Sequence, residues 1–96
     1  MITRIVKLTI QEEKAAEFIS LFNESKSFIK NSPGCKHVEL LSDIHQPTIF
    51  FTHSRWDSEE HLNQYRDSDL FKNIWLRTKI LFADKAEAWS LQSFAE

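Results

Sequence analysis

Glycine is almost absent from this 96-residue chain, where Gly34 stands alone. A phosphate-cradling loop needs several glycines whose backbone closes on the anion, so the usual nucleotide-binding motifs are excluded. Cysteine is equally scarce. Cys35 is the single thiol, which rules out an intrachain disulfide and any Cys-rich metal centre; a buried, inert thiol is the expectation. No apolar run in the sequence approaches the roughly 20 residues that span a bilayer. The opening "MITRIVKLTI" carries Arg4 and Lys7 where a signal peptide would need an unbroken apolar stretch. Charge of one sign never gathers into a block, and 12 basic against 14 acidic residues give a net charge of −2. That balance leaves no electrostatic footprint for nucleic acid. What remains is one small domain over residues 1–96, expected to be soluble and cytoplasmic, with neither a nucleic acid nor a membrane as partner.

Aromatic rings are plentiful: 12% of the residues, eight of them Phe. Large rings give a small domain more buried area per residue, so part of that excess is structural. The rings are densest in "RWDSEEHLNQYRDSDLFKNIW", residues 55–75, which holds two Trp, a Tyr, a Phe and a His.

Periodicity sets the elements around that stretch. In "ITRIVKLTI" (2–10), Ile2, Val6, Leu8 and Ile10 share one parity, as in a strand. From Glu12 to about Lys30 the period changes. Ala15, Phe18, Ile19, Phe22 and Ile29 recur at spacings of three, four and seven, which predicts an amphipathic helix. "NSPG" (31–34) ends it. "KHVELLSD" (36–43) and "TIFFTHSRW" (48–56) read as strands joined through "IHQP", a connection short enough to require an antiparallel hairpin. Asp57, three residues before Glu60, resembles a capping box opening a second helical region, with a restart at Asp67 or Ser68. "AEAWSLQSF" (86–94) reads as a closing strand. The order β-α-β-β-α-β predicts an α+β, ferredoxin-like fold: a four-stranded antiparallel sheet with helices on one face.

Two helices cover only one face of four strands. Yet the third strand carries bulk on both parities, Phe50 and Trp56 on one, Ile49 and Phe51 on the other. The second strand likewise pairs Val38 and Leu40 with an opposed Leu41. A half-wet antiparallel sheet alternates cleanly between apolar and polar, so something is expected to cover the second face. A second copy of the same sheet about a two-fold axis is the simplest cover, which predicts a homodimer through sheet faces.

Candidate chemistry is sparse. The four histidines, at 37, 45, 53 and 61, fall on different elements. His37 and Glu39 share a strand face, but the strand register that would bring His53 to them is open, and no third convergent ligand is identified; no metal site is assigned. On a helix beginning near Ser58, His61, Leu62 and Tyr65 lie on one side, and Phe71 and Trp75, four apart, continue it. Leu62, Phe71 and Ile74 read as core. Tyr65, Trp75 and His61 each carry a polar atom that needs a partner when buried, so core and aromatic pocket both remain open for them.

The succession "RIVKLTI", "FISLF", "SPGC", "VELL", "IFF", the block W-x-S-x-x-x-L-x-x-Y-x-x-S-x-x-F from Trp56 to Phe71, and "AEAW" resembles the antibiotic biosynthesis monooxygenase family. The resemblance covers essentially the whole chain and implies a dimeric α/β barrel with a pocket between sheet and helices in each subunit. Some members of that family oxygenate quinols and anthrones without metal or flavin. Another branch degrades heme with an Asn, a Trp and a His, at positions that here hold Val6, Tyr65 and Trp75; that branch is disfavoured. The resemblance therefore implies a cofactor-independent monooxygenase acting on a small, electron-rich aromatic such as a hydroquinone. Val6, Trp56, Phe71 and Trp75 would form the apolar walls for the substrate. Tyr65 would hydrogen-bond a substrate oxygen, and His53 or His61, whichever faces inward, would be the base. A non-catalytic dimeric module that binds a small ligand, or an isomerase or degrading enzyme on the same scaffold, are the alternatives.

Overall fold

Branched residues alternating with charges extend Ile2–Thr9 as strand β1. A single 3-10 turn over Glu12–Lys14 leads into helix α1, Ala15–Lys30. Its three-and-four spacing buries Phe18, Leu21, Phe22 and Ile29 on one side. Removing each such side chain from water contributes about 1.5–3 kcal/mol. Strand β2 runs Cys35–Ser42 and β3 runs Ile49–Trp56. Between them the Asp43 carboxylate accepts the backbone N–H groups of His45 and Gln46 at 2.8 and 3.0 Å, which closes the turn. A computed structural model describes residues 1–94 of the chain.

The second helical region is two helices, α2 over Glu59–Asp67 and α3 over Asp69–Lys79. Each starts on a serine cap: Ser58 Oγ accepts the N–H of His61 at 3.2 Å, and Ser68 Oγ that of Phe71 at 3.1 Å. The break therefore falls at Ser68, inside the expected pair. The first cap lies one residue later than the expected Asp57, whose carboxylate is engaged with Lys36 at 3.5 Å. Strand β4 spans Glu87–Leu91, shorter than the predicted 86–94. The sheet order is β2-β3-β1-β4, antiparallel throughout. This is the expected four-stranded ferredoxin-like architecture, with one helical region split in two.

Register decides which residues meet the helices. Val6 lies opposite Thr52 and Ala88, and Arg4 opposite Ser54 and Ser90. Even-numbered residues of β1 and β3 thus face the helices, where Leu8, Ile10, Phe50 and Trp56 are buried. A bulge between Cys35 and His37 shifts the pairing of β2, so Cys35 and Val38 both turn inward and both are buried. The opposite parity presents Ile5, Leu41, Phe51 and Trp89 on the other face. Leu41 and Trp89 are exposed there. No helix among the described residues is long and apolar enough to cross a membrane.

Gly34 joins the helical layer to the sheet at a position no other residue fills well. Its φ is +82°, in the left-handed region, and a Cβ there would lie 2.3 Å from Cγ of His61. Gly34→Ala is expected to destabilise the fold by about 2–3 kcal/mol, from backbone strain and overpacking together. A urea titration checks it; an unchanged midpoint would contradict the close approach of His61.

Candidate functional site

The sheet and helices do not close completely on each other. A cavity of about 370 Å³ remains between them, within the range of small-ligand sites. Its floor is the inward parity of the strands: Arg4, Val6 and Leu8 of β1, Thr52 and Ser54 of β3, and Ala88 of β4. Its roof is Phe18 and Phe22 of α1, Leu62 and Tyr65 of α2, and Phe71, Ile74 and Trp75 of α3. The split at Ser68 matters here. The Ser68 hydroxyl donates to the carbonyl of Tyr65 at 2.6 Å while capping α3, which fixes the last turn of α2 against the first of α3 and sets Tyr65 beside Phe71.

Five aromatic residues form one continuous train. Trp56 stacks on Tyr65 with centroids 4.9 Å apart, and Tyr65 meets Phe71 edge-on at 5.2 Å. Phe71 stacks with Trp75 at 5.9 Å, and Trp75 meets Phe82 edge-on at 5.5 Å. Offset and edge-on contacts of this kind add stiffness beyond burial alone. Val6, Tyr65, Phe71 and Trp75 all line the cavity. Trp56, expected as a wall, lies behind it. Its exposure is 0%, its indole N–H donates to Ser54 Oγ at 3.0 Å, and its ring supports Tyr65 from the core side.

Neither histidine expected as a base reaches the cavity. Strand alternation turns Thr52 and Ser54 inward and His53 outward, where His53 Nδ1 contacts Glu39 Oε1 at 2.9 Å. His61 folds back on its own helix start, with Nδ1 2.9 Å from Ser58 Oγ and its ring over Gly34. Among the described residues, the lining contains no imidazole, no thiol and a single carboxylate, Glu87, which lies 3.9 Å from the Lys7 ammonium.

Two lining cations were missed in the sequence: Arg4 and Arg66. Arg4 shares a parity with Val6 and Leu8, so a cation on the apolar side of β1 was the available signal. Arg4 is half-buried, and its guanidinium donates to Ser90 Oγ at 2.8 Å. Partial burial and, secondarily, the nearby charge of Arg66 lower its pKa from the ordinary arginine value, yet an arginine stays charged. Neither Arg4 nor Arg66 forms an ion pair among the described residues. Two cations border an apolar cavity, and no carboxylate pairs with either among the described residues.

Tyr65 supplies the complementary group. Burial pushes its phenol well up from the ordinary value, with a smaller contribution from Cys35, so it stays neutral and keeps a proton available to donate. No described residue hydrogen-bonds its hydroxyl. Ser54 and Thr78 are already engaged, Ser54 as acceptor for Trp56 and Thr78 as donor to the Ile74 carbonyl at 2.7 Å. Burial likewise raises the pKa of Cys35, the dominant cause there, which keeps it a thiol. The arrangement can hold a flat apolar ring, donate a hydrogen bond to it, and place positive charge near one of its oxygens.

Known proteins frame this geometry. Residues 1–75 match the model of the family described as antibiotic biosynthesis monooxygenase. No curated protein matches the sequence. Among solved structures, a conserved protein from Methanosarcina mazei Go1 superposes with a TM-score of 0.91 at 23% identity, covering 98% of this chain and 94% of that one. A structure described as an antibiotic biosynthesis monooxygenase has a TM-score of 0.91 at 16% identity, with 99% and 100% covered. A Mycobacterium tuberculosis protein reaches 0.89 at 15% identity, with 99% and 96% covered. At such identities the likeness carries the fold and says nothing of substrate.

Proposed function

The chain belongs to the antibiotic biosynthesis monooxygenase family, and from that premise we propose that it is a cofactor-independent monooxygenase for a small, electron-rich aromatic of the hydroquinone or anthrone kind. The observation that carries this reading is the cavity itself, walled by Val6, Phe71 and Trp75 and bordered by the cations of Arg4 and Arg66. A flat ring fits the walls. The guanidinium of Arg4 favours the ionised form of a substrate hydroxyl, whose proton passes to solvent water as the substrate enters, so the ionisation does not require the histidine base expected from the sequence. Tyr65 donates to the second oxygen.

Ionisation makes the substrate its own reductant. The anion passes one electron to O₂, and the resulting substrate radical and superoxide combine into a peroxide at the ring carbon. Protonation and loss of water then leave a new carbonyl, so that R₂CH₂ and O₂ become R₂C=O and H₂O. The protein binds, ionises and keeps water out. Heme degradation fits poorly, because no imidazole lines the cavity to hold an iron.

Oxygen uptake by the chelator-treated protein over hydroquinones and anthrones, corrected for autoxidation, tests the reading. Saturable uptake is the expected result. Val6→Phe should reduce it at least about tenfold by filling the floor, while leaving the fold intact, since Val6 is only half-buried. Tight binding of these aromatics with no uptake across the panel would favour a ligand-binding module instead.

The working form is a homodimer through the outer sheet face. Ile5, Leu41, Phe51, Trp89 and Leu91 offer the apolar surface, and Leu41, Trp89 and Leu91 are exposed at 44%, 42% and 50%. Apolar side chains gathered on one solvated sheet face are the pattern of an association surface. Phe51→Asp would bury a charge in that interface and is expected to give a monomer in sedimentation velocity; an unchanged dimer would place the contact elsewhere.

A further inference from the structure

We propose that His37, Glu39 and His53 form a binding site for a divalent first-row transition-metal ion on the outer face of the sheet, independent of the cavity. The β2–β3 register sets Glu39 directly opposite His53. His37 lies two residues before Glu39 on the same strand, and therefore on the same face. The three side chains converge on one point. His37 Nε2 is 3.1 Å and His53 Nδ1 2.9 Å from the same Glu39 oxygen, and all three donor atoms lie within 4.8 Å of one another. The two imidazole rings meet edge-on, with centroids 5.3 Å apart at 62°.

A metal bound at about 2.0–2.2 Å by imidazole nitrogen and carboxylate oxygen holds neighbouring donors about 3 Å apart. The two separations to Glu39 already fall there, so loading the site needs each imidazole to present an unprotonated nitrogen and side-chain shifts that bring the two imidazole donors, within 4.8 Å, onto the same ion. The donor set chooses the ion. Two imidazoles and one carboxylate favour Zn²⁺, Co²⁺ or Ni²⁺ over Mg²⁺ and Ca²⁺, which require an all-oxygen shell. Three protein ligands leave a further position for water or an exogenous donor. Rigidity also fits, because the three residues stand on paired strands and not on a loop. In the single chain their side chains are 44%, 39% and 25% exposed; they share the outer face with the proposed dimer contact, His37 and Glu39 on its edge strand β2, so an ion would be held at the margin of that contact. The cavity faces the opposite side of the sheet, so neither site depends on the other.

Cobalt reports directly on such ligation through its visible d–d absorption. The chelator-stripped protein should bind a single equivalent of Co²⁺ with a visible band, and excess Zn²⁺ should displace it. Glu39→Gln and His53→Ala should each weaken binding at least about tenfold. His45→Ala, at the exposed hairpin turn, should leave it unchanged. Far-UV circular dichroism of each variant shows that the sheet is retained, and His37→Ala, which alters an edge strand, provides a second variant. Absence of the band, an affinity indifferent to Glu39→Gln and His37→Ala, or equal weakening in His45→Ala would overturn the site.

Discussion

Trp56→Ala is expected to cost about 3–5 kcal/mol of stability, the range for deleting a large buried aromatic. Trp56 is wholly buried at the junction of β3, α1 and α2, in a cluster with Phe22, Ile29, Val38 and Leu62. The loss is more than volume. Ser54 Oγ, itself buried, loses the indole N–H it accepts at 3.0 Å, which adds the cost of an unpaired polar group. Tyr65 loses the ring stacked on it at 4.9 Å and 26°, so the cavity's hydrogen-bond donor also loses its seat. Because small domains have roughly 5–15 kcal/mol to lose, the variant should sit close to its unfolding transition at ordinary temperature. Urea denaturation gives the comparison with Leu76→Ala, an α3 residue that is 67% exposed, for which a change within about 0.5 kcal/mol is expected. Similar midpoints for the two variants would contradict the placement of Trp56 in the core.

Arg4→Met carries the largest effect on function. Methionine matches the length and apolar stem of arginine while removing the charge. Arg4 makes only one side-chain hydrogen bond among the described residues, to the exposed side of Ser90, and its charge lies near that of Arg66. Stability should therefore change little, since loss of that bond is offset by relief of like-charge repulsion. A charged hydrogen bond to a substrate oxygen contributes about 2–3 kcal/mol, so kcat/KM should fall roughly 30- to 150-fold. Arg4→Lys should restore part of it, because lysine keeps the charge but not the planar fork. Activity of Arg4→Met equal to that of the unaltered protein would remove Arg4 from the mechanism.

The scaffold was legible where period and punctuation agree. The strand parity of Ile2, Val6, Leu8 and Ile10, the helical spacing through Phe18, Phe22 and Ile29, and the stop at Gly34 each follow from local geometry, and each element formed where expected. Bulk on both parities of β3 places Ile49 and Phe51 on the face away from the helices, opposite Phe50 and Trp56. The site was legible only in part. Val6, Tyr65, Phe71 and Trp75 meet in one cavity, but histidine placement depends on strand register, and register is set by cross-strand packing that no single strand reveals. The inward parity of Thr52 and Ser54 sends His53 to the other face, toward Glu39. His61 sits on the correct helix, yet its nearness to the Ser58 cap and to Gly34 draws the ring away. Arg4 enters the sequence reading only as a charge that interrupts an apolar stretch, although its parity matches that of the apolar residues around it.

The account rests on the cavity ionising an aromatic hydroxyl through Arg4. An absorbance titration of a hydroquinone bound under anaerobic conditions, following its phenolate band against pH, tests that most directly. A nearby cation stabilises the anion and lowers the pKa of the group. The ionisation of the bound hydroquinone should therefore fall by about one unit or more relative to free solution, and return toward the free value in Arg4→Met. A bound pKa equal to or above that in water, in the unaltered protein, would contradict the mechanism.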